Sequence, residues 1–218
     1  MEEALTLVID GTEPPSAATA AAVQAFCDAA EDRAGSGVVV LQVSGAPAEG
    51  WTSGLDVTVV NKWERALRRL ERLARATVAT ASGDCGGAAL DVFLACDIRV
   101  VAPGTRLLVA KDAAATWPGM AGFRLVQLAG ASAVRRALLF GQPIEAPTAL
   151  RIGLADEMTD DLAGALTAAV DLVDGLAGEE ISIRRQLHFD AVTTSFEEAL
   201  GTHLAACDRV LRAPVEVA

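Results

Sequence analysis

Lysine and histidine are almost absent from this 218-residue chain: Lys62 and Lys111 are the only lysines, and His188 and His203 the only histidines. A histidine-based triad or a zinc site needs partners at fixed spacing, and the two histidines lie far along the chain in segments that read as helices. They are expected to be ordinary structural residues, and no metal site is expected. Cysteine is also sparse. Cys27, Cys85, Cys96 and Cys207 form no Cys-x-x-Cys pair and read as reduced thiols, mostly in the core. No apolar run approaches the ~20 residues of a membrane-spanning helix. Met1-Glu2-Glu3 is not a signal-peptide opening, so a cytoplasmic protein is expected.

The remaining composition is that of a folded domain. Hydrophobic residues make up 52% and charged residues 22%, which argues against disorder. A net charge of −11 excludes non-specific nucleic-acid binding as an expected role. The length suits one α/β domain with a sizeable core, or such a domain with a helical appendage. Phosphate-loop signatures of the Gly-x-x-x-x-Gly-Lys-[Ser/Thr] or Gly-x-Gly-x-x-Gly kind are missing, which disfavours a nucleotide-binding domain.

Strand and helix patterns alternate up to about residue 160. Leu5–Ile9, Val38–Val43, Ala76–Ala81, Ile98–Ala102 and Leu107–Val109 read as strands, with a return strand or turn at 153–157. Ser16 is a candidate N-cap for an alanine-rich helix that buries Val23, Phe26, Cys27 and Ala30 and stops at Gly35-Ser36-Gly37. Asp56–Arg75 reads as a helix with Leu67 and Leu70 inward. Its stripe of Arg65, Arg68, Arg69, Arg72 and Arg75 is either a solvated face paired with Glu64 and Glu71, or a surface for an anionic cofactor tail or a partner protein. Shorter helices are expected from Pro118-Gly119-Met120, over Ser132–Phe140 and over Pro147–Arg151. From Asp161 onward the pattern is helical, with breaks at Gly175 and Gly178 and apolar positions at Leu162, Leu166, Val170, Val173, Leu176, Phe196, Leu200, Leu204 and Leu211. The expected organisation is an α/β core over residues 1–160 and a helical region over 161–218.

Ser82-Gly83-Asp84-Cys85-Gly86-Gly87-Ala88-Ala89-Leu90-Asp91 carries the densest signal. A β-prone run turns through glycines into an apolar helix that bears one carboxylate, Asp91. Glycine at such a switch allows a ligand oxygen to approach backbone N–H groups. A carboxylate a few residues on supplies acid/base chemistry to the same ligand.

This segment, continued through Ala95-Cys96-Asp97-Ile98 and followed by Pro118-Gly119, resembles the crotonase, or enoyl-CoA hydratase/isomerase, superfamily. Gly83, Gly86, Gly87, Cys96, Asp97 and Ile98 fall on the family pattern without a gap. The resemblance implies stacked ββα turns followed by helices that form a trimer, often doubled into a hexamer. It implies an acyl-CoA thioester as substrate, with no separate cofactor. Thr52-Ser53-Gly54-Leu55-Asp56 matches the loop whose backbone N–H holds the thioester oxygen, which points to Leu55; the glycine turn points to Ala88 for the second donor. One such donor is worth ~3–4 kcal/mol in a measured case. Gly54, Gly86, Gly87, Pro118 and Gly119 fall on substrate-binding positions.

The catalytic positions depart from the pattern. Asp91 stands where the family has its first glutamate, one methylene and about 1.5 Å shorter. Lys111 stands where the second is expected, with Asp112 beside it. The early segment that helps bind the CoA nucleotide is replaced by Asp10-Gly11-Thr12-Glu13-Pro14-Pro15-Ser16. Short and altered in this way, the chain resembles the hydratase-like proteins of 3,5-dihydroxyphenylglycine biosynthesis. Those assist a type III polyketide synthase in dehydration, aromatisation and release of 3,5-dihydroxyphenylacetyl-CoA. Two roles follow: a dehydratase with Asp91 and Lys111 moving protons, or an accessory subunit that keeps the fold and little chemistry.

Overall fold

The computed structural model describes residues 4–33, 37–112, 115–173 and 179–212. Strand β1 (Leu5–Asp10) leads into α1 (Ala17–Asp32), then β2 (Val38–Gly45), α2 (Val57–Leu70), β3 (Ala76–Gly86) and the short α3 (Ala88–Leu94). β4 (Ile98–Val101) and β5 (Arg106–Leu108) follow, then a small hairpin of β6 (Lys111–Asp112) and β7 (Ala115–Thr116). α4 (Met120–Ala129), α5 (Ala131–Phe140), β8 (Ile144–Glu145), α6 (Ala146–Arg151) and β9 (Glu157–Met158) complete the α/β part. Three helices follow among the described residues: α7 (Leu162–Val173), α8 (Glu179–Asp190) and α9 (Phe196–Arg212).

The sheet runs β1-β2-β3-β4-β9, all parallel, with β5 on the second half of β3 and β8 antiparallel to β5. A parallel sheet must be covered on both faces, and the β2 alternation shows how. Val39, Leu41 and Val43 face a core shared with α1, α2 and α3. Val38 and Val40, with Ala76 and Val78, face Leu166, Ala169 and Val173 of α7. Helix α7 therefore serves as the second cover of the sheet. Leu162 and Leu166 are half-buried and Val173 buried as the spacing implies, whereas Val170 points outward.

Local chemistry sets the element ends. Ser16 caps α1 in a reciprocal box: its hydroxyl accepts from the Thr19 N–H at 3.1 Å, and Thr19 Oγ1 accepts from the Ser16 N–H at 2.8 Å. Removing such a cap costs ~1 kcal/mol. Asp56 caps α2 by accepting from the N–H groups of Thr58 and Val59 at 2.7 and 2.9 Å, so the aspartate of the Thr52–Asp56 loop orients that helix. Helix α2 ends at Leu70, five residues before the expected Arg75, because the chain must re-extend to enter β3 at Ala76. Strand β3 is longer than expected. Its end, Asp84 to Gly86, pairs with β5, while Gly45 pairs with Cys85. The expected helix stop at Gly35-Ser36, the breaks at Gly175 and Gly178 and the apolar position Leu176 lie outside the described residues.

Much of the arginine stripe is engaged. Arg69 pairs with Asp28 and Glu31 of α1, both at 2.6 Å. Arg75 donates to the carbonyls of Ala30 and Arg33, and Arg68 pairs with Glu71 at 2.9 Å. Cys27, Cys85 and Cys96 are buried and Cys207 is exposed. Among the described residues, no helix is long and apolar enough to cross a membrane.

Candidate active site

Where β3 ends and α3 begins, three backbones converge. A Cβ at Gly11 would lie 2.4 Å from the carbonyl oxygens of both Gly45 and Gly86. Gly87, the N-cap of α3, has φ +53°, a conformation that glycine adopts without steric cost. This close packing sets Asp91 one turn into α3, with its N–H bonded to the Gly87 carbonyl at 3.0 Å.

Asp91 faces a narrow cleft lined by Trp51, Leu55, Trp63, Glu64, Gly87 and Ala110, among others. The three tryptophans of the chain, Trp51, Trp63 and Trp117, all line it. Trp63 is fully buried and donates its indole N–H to Asp91 Oδ2 at 3.0 Å. Trp51 and Trp117 meet edge to face with centroids 5.3 Å apart. The Trp51 indole N–H bonds to the Lys111 carbonyl at 2.8 Å, and the Trp117 backbone N–H to the Ala110 carbonyl at 2.8 Å. The β6–β7 hairpin is thereby fixed to the turn that precedes α2. The Thr52 hydroxyl adds a bond to the Asp112 carboxylate.

Burial pushes the Asp91 carboxyl up to about 7. The negative charge of Glu64 adds to the rise, while the Trp63 hydrogen bond and the positive charge of Arg124 oppose it. A carboxyl poised near neutrality gives and takes protons at working pH. Burial, followed by the charge of Asp91, also raises the Cys85 thiol, so this cysteine stays protonated beneath the site.

The sequence-derived site residues divide into two groups. Leu55, Gly87 and Asp91 line the same cleft. Gly86 packs just behind it, where a Cβ would meet Ala46 at 2.9 Å. Ala88 is buried at the first position of α3. The Leu55 N–H is bonded to the Thr52 carbonyl at 3.0 Å, so this expected donor is engaged within its own turn. Gly54 has φ +84° in that turn, with nothing within 4 Å of a Cβ there. Pro118 and Gly119 precede α4; Gly119 lies against the Trp117 ring, 2.6 Å from a built Cβ. Lys111 is exposed, its side chain lying across Gly141, and it lines a neighbouring hollow with Ala46, Pro47 and Glu49. At that point the Asp91 cleft is lined by Val109 and Ala110.

Sequence reasoning did not single out the tryptophans or Arg124. The available signal was composition: with aromatics at 4%, three tryptophans spread over residues 51–117 mark a shared environment. Arg124 is buried on α4, which carries no cue beyond a charge in an apolar helix.

The family model described as enoyl-CoA hydratase/isomerase matches residues 19–218. This chain belongs to the enoyl-CoA hydratase/isomerase family. Over 212 residues it is 51% identical to a protein of Amycolatopsis orientalis named enoyl-CoA-hydratase, covering 97% of this chain and 98% of the relative. It is 23% identical to a short-chain-enoyl-CoA hydratase of Clostridium acetobutylicum, over 75% of this chain and 71% of that one. Among solved structures, an enoyl-CoA hydratase from Shewanella pealeana superposes with TM-score 0.80 at 15% identity, covering 96% of this chain and 85% of that one. An enoyl-CoA hydratase/isomerase from Marinobacter aquaeolei does so with TM-score 0.79 at 15% identity, covering 98% and 90%. These structures share the fold of the hydratase family, which brings Asp91 and the Leu55 turn to one cleft in this chain.

Proposed function

We propose that this hydratase-family protein is a dehydratase-type lyase acting on a polyketide-derived CoA thioester. In this reading it assists a type III polyketide synthase in the dehydration and aromatisation that yield 3,5-dihydroxyphenylacetyl-CoA. The observation that carries the reading is Asp91: a half-buried carboxyl, raised to about 7, in a cleft walled by three tryptophans. Flat aromatic walls suit a planar, unsaturated acyl group, and the nearly neutral carboxyl suits proton transfer at its α- and β-carbons. The thioester oxygen would lie toward Gly87 and Leu55. The Leu55 N–H must leave the Thr52 carbonyl to serve as a donor, a small turn adjustment of the kind substrate binding brings about.

A second reading, a catalytically degenerate accessory subunit of the synthase, is favoured by that same engaged N–H and by Lys111 lying outside the cleft. One reconstitution separates the two. Synthase and malonyl-CoA are combined with this protein or with Asp91→Asn, and 3,5-dihydroxyphenylacetyl-CoA is measured. The lyase reading expects the wild type to raise the yield and the variant to lose that effect. An equal gain from both assigns the accessory role, and no gain from either overturns both.

The assembly proposed with this function is a homo-trimer or hexamer. Helix α9 buries no residue in the single chain, and Phe196 and Leu211 on it are 75% and 84% exposed. Apolar faces of that extent call for a cover.

A further inference from the structure

The position expected for a second catalytic carboxylate holds Lys111, which lies outside the Asp91 cleft. Among the described residues that line this cleft, one other acid is present: Glu64. It comes from a different element. On α2, Val60, Trp63 and Glu64 share one face, so the helix that bonds Asp91 through Trp63 also presents Glu64 to the same space. Val60 and Glu64 also line an open groove bounded by Met120, Phe123 and Phe189, so Glu64 stands where the cleft opens into it.

Glu64 is held in place. The Arg124 side chain, 6% exposed, donates Nη2 to Glu64 Oε2 at 2.9 Å and Nε to Glu71 Oε1 at 2.7 Å. Arg124 Nη1 is buried without a hydrogen-bond partner among the described residues. A guanidinium fork clamped between two carboxylates fixes both of them.

We propose that Glu64 is the second carboxylate of this site, the proton acceptor to Asp91 as donor, with Arg124 as its positioning residue. The proposal rests on the dehydratase reading. In the dehydration direction Glu64 takes the Cα proton, and the C–H electron pair becomes the Cα–Cβ double bond by way of the thioester enolate. The Cβ–O bond breaks, and the departing oxygen takes its pair and the Asp91 proton, leaving as water. Glu64 ends protonated and Asp91 ionised, and transfer of that proton through solvent resets the pair. Hydration runs the same steps backwards. The charges facing Asp91 are those of Glu64 and Arg124, with the Cys85 thiol behind it.

The test is hydration of crotonyl-CoA by wild type, Asp91→Asn, Glu64→Gln and the double variant, each checked for folding by circular dichroism. Glu64→Gln is expected to lower kcat about a hundredfold to a thousandfold with little change in KM. The double variant is expected to lose hardly more than Asp91→Asn alone, because the two act as a unit. Arg124→Lys is expected to lower kcat less than Arg124→Met, and carboxyl NMR of Glu64→Gln to show Asp91 titrating lower. An active wild type with Asp91→Asn inactive and Glu64→Gln within threefold overturns the role of Glu64 alone. A wild type without turnover, or an unaffected Asp91→Asn, overturns the dehydratase reading and Glu64's role with it.

Discussion

Trp63 donates its indole N–H to Asp91 Oδ2 across 3.0 Å, from the fully buried face of α2 to the first turn of α3. This bond joins the two elements that shape the cleft. It also favours the charged form of a carboxyl that burial otherwise keeps neutral. Asp91 is therefore set by opposing influences, with burial the larger.

Replacing Trp63 by phenylalanine removes the larger of the two influences that lower Asp91, leaving that of Arg124. The titration midpoint of Asp91, about 7 in the native protein, is expected to rise. Carboxyl carbon NMR across pH 4 to 9 measures it, and an unchanged or lower midpoint contradicts the assigned balance of causes.

The same shift ties stability to pH. The folded protein holds the Asp91 proton up to about pH 7, whereas the unfolded chain releases it near 3.8. Between those values the folded state binds more protons, so the contribution of Asp91 to stability falls as pH rises. Each pH unit in that window removes at most ~1.4 kcal/mol, less where solvent reaches the cleft mouth. Asp91→Asn lacks this dependence. Relative to wild type it is expected to gain ~1–3 kcal/mol between pH 5 and pH 8 in urea unfolding. An equal difference at both pH values contradicts it.

Asp97, part of the matched Ala-Cys-Asp-Ile segment, works as a structural anchor. It accepts from the Thr77 N–H at 2.9 Å and from Arg185 of α8 at 2.6 Å through each carboxylate oxygen. Arg185 also donates to the carbonyls of Glu71, Leu73 and Arg75. Arg185→Ala leaves those acceptors without their donor and is expected to cost ~2–3 kcal/mol. Thermal unfolding should shift down by about 4–10 °C; a shift under 1 °C denies the anchor.

The uncovered face of α9 leads to a prediction about mass in solution. Light scattering at micromolar concentration is expected to give three or six times the 22.5 kDa of one chain. A mass near a single chain contradicts the trimer.

Much of the fold was legible because parallel strands and caps are written locally. Val38–Val43 is a continuous β-branched run, and Ser16 and Asp56 stand before periodic apolar segments as helix caps do. The glycine turn and Asp91 were legible because only small residues permit the approach of Gly11, Gly45 and Gly86. The end of α2 was not legible, since the need to enter β3 overrides a helix-forming Arg-rich stretch. The placement of Lys111 away from the cleft was also hidden. It depends on the hairpin register, on the bond of the Lys111 carbonyl to Trp51 60 residues away, and on that of the neighbouring Ala110 carbonyl to the Trp117 backbone N–H. Nor did the sequence tell which of Glu64 and Glu71 would turn toward α4; both do, because buried Arg124 bridges them.

The central claim is that Asp91 moves the proton in an acyl-CoA cleft. The most direct measurement is the rate of crotonyl-CoA hydration by Asp91→Asn beside wild type, at pH 7 and with folding verified. The variant is expected to lose about a hundredfold or more in kcat with the fold intact. A folded variant that turns over as fast as wild type would contradict it.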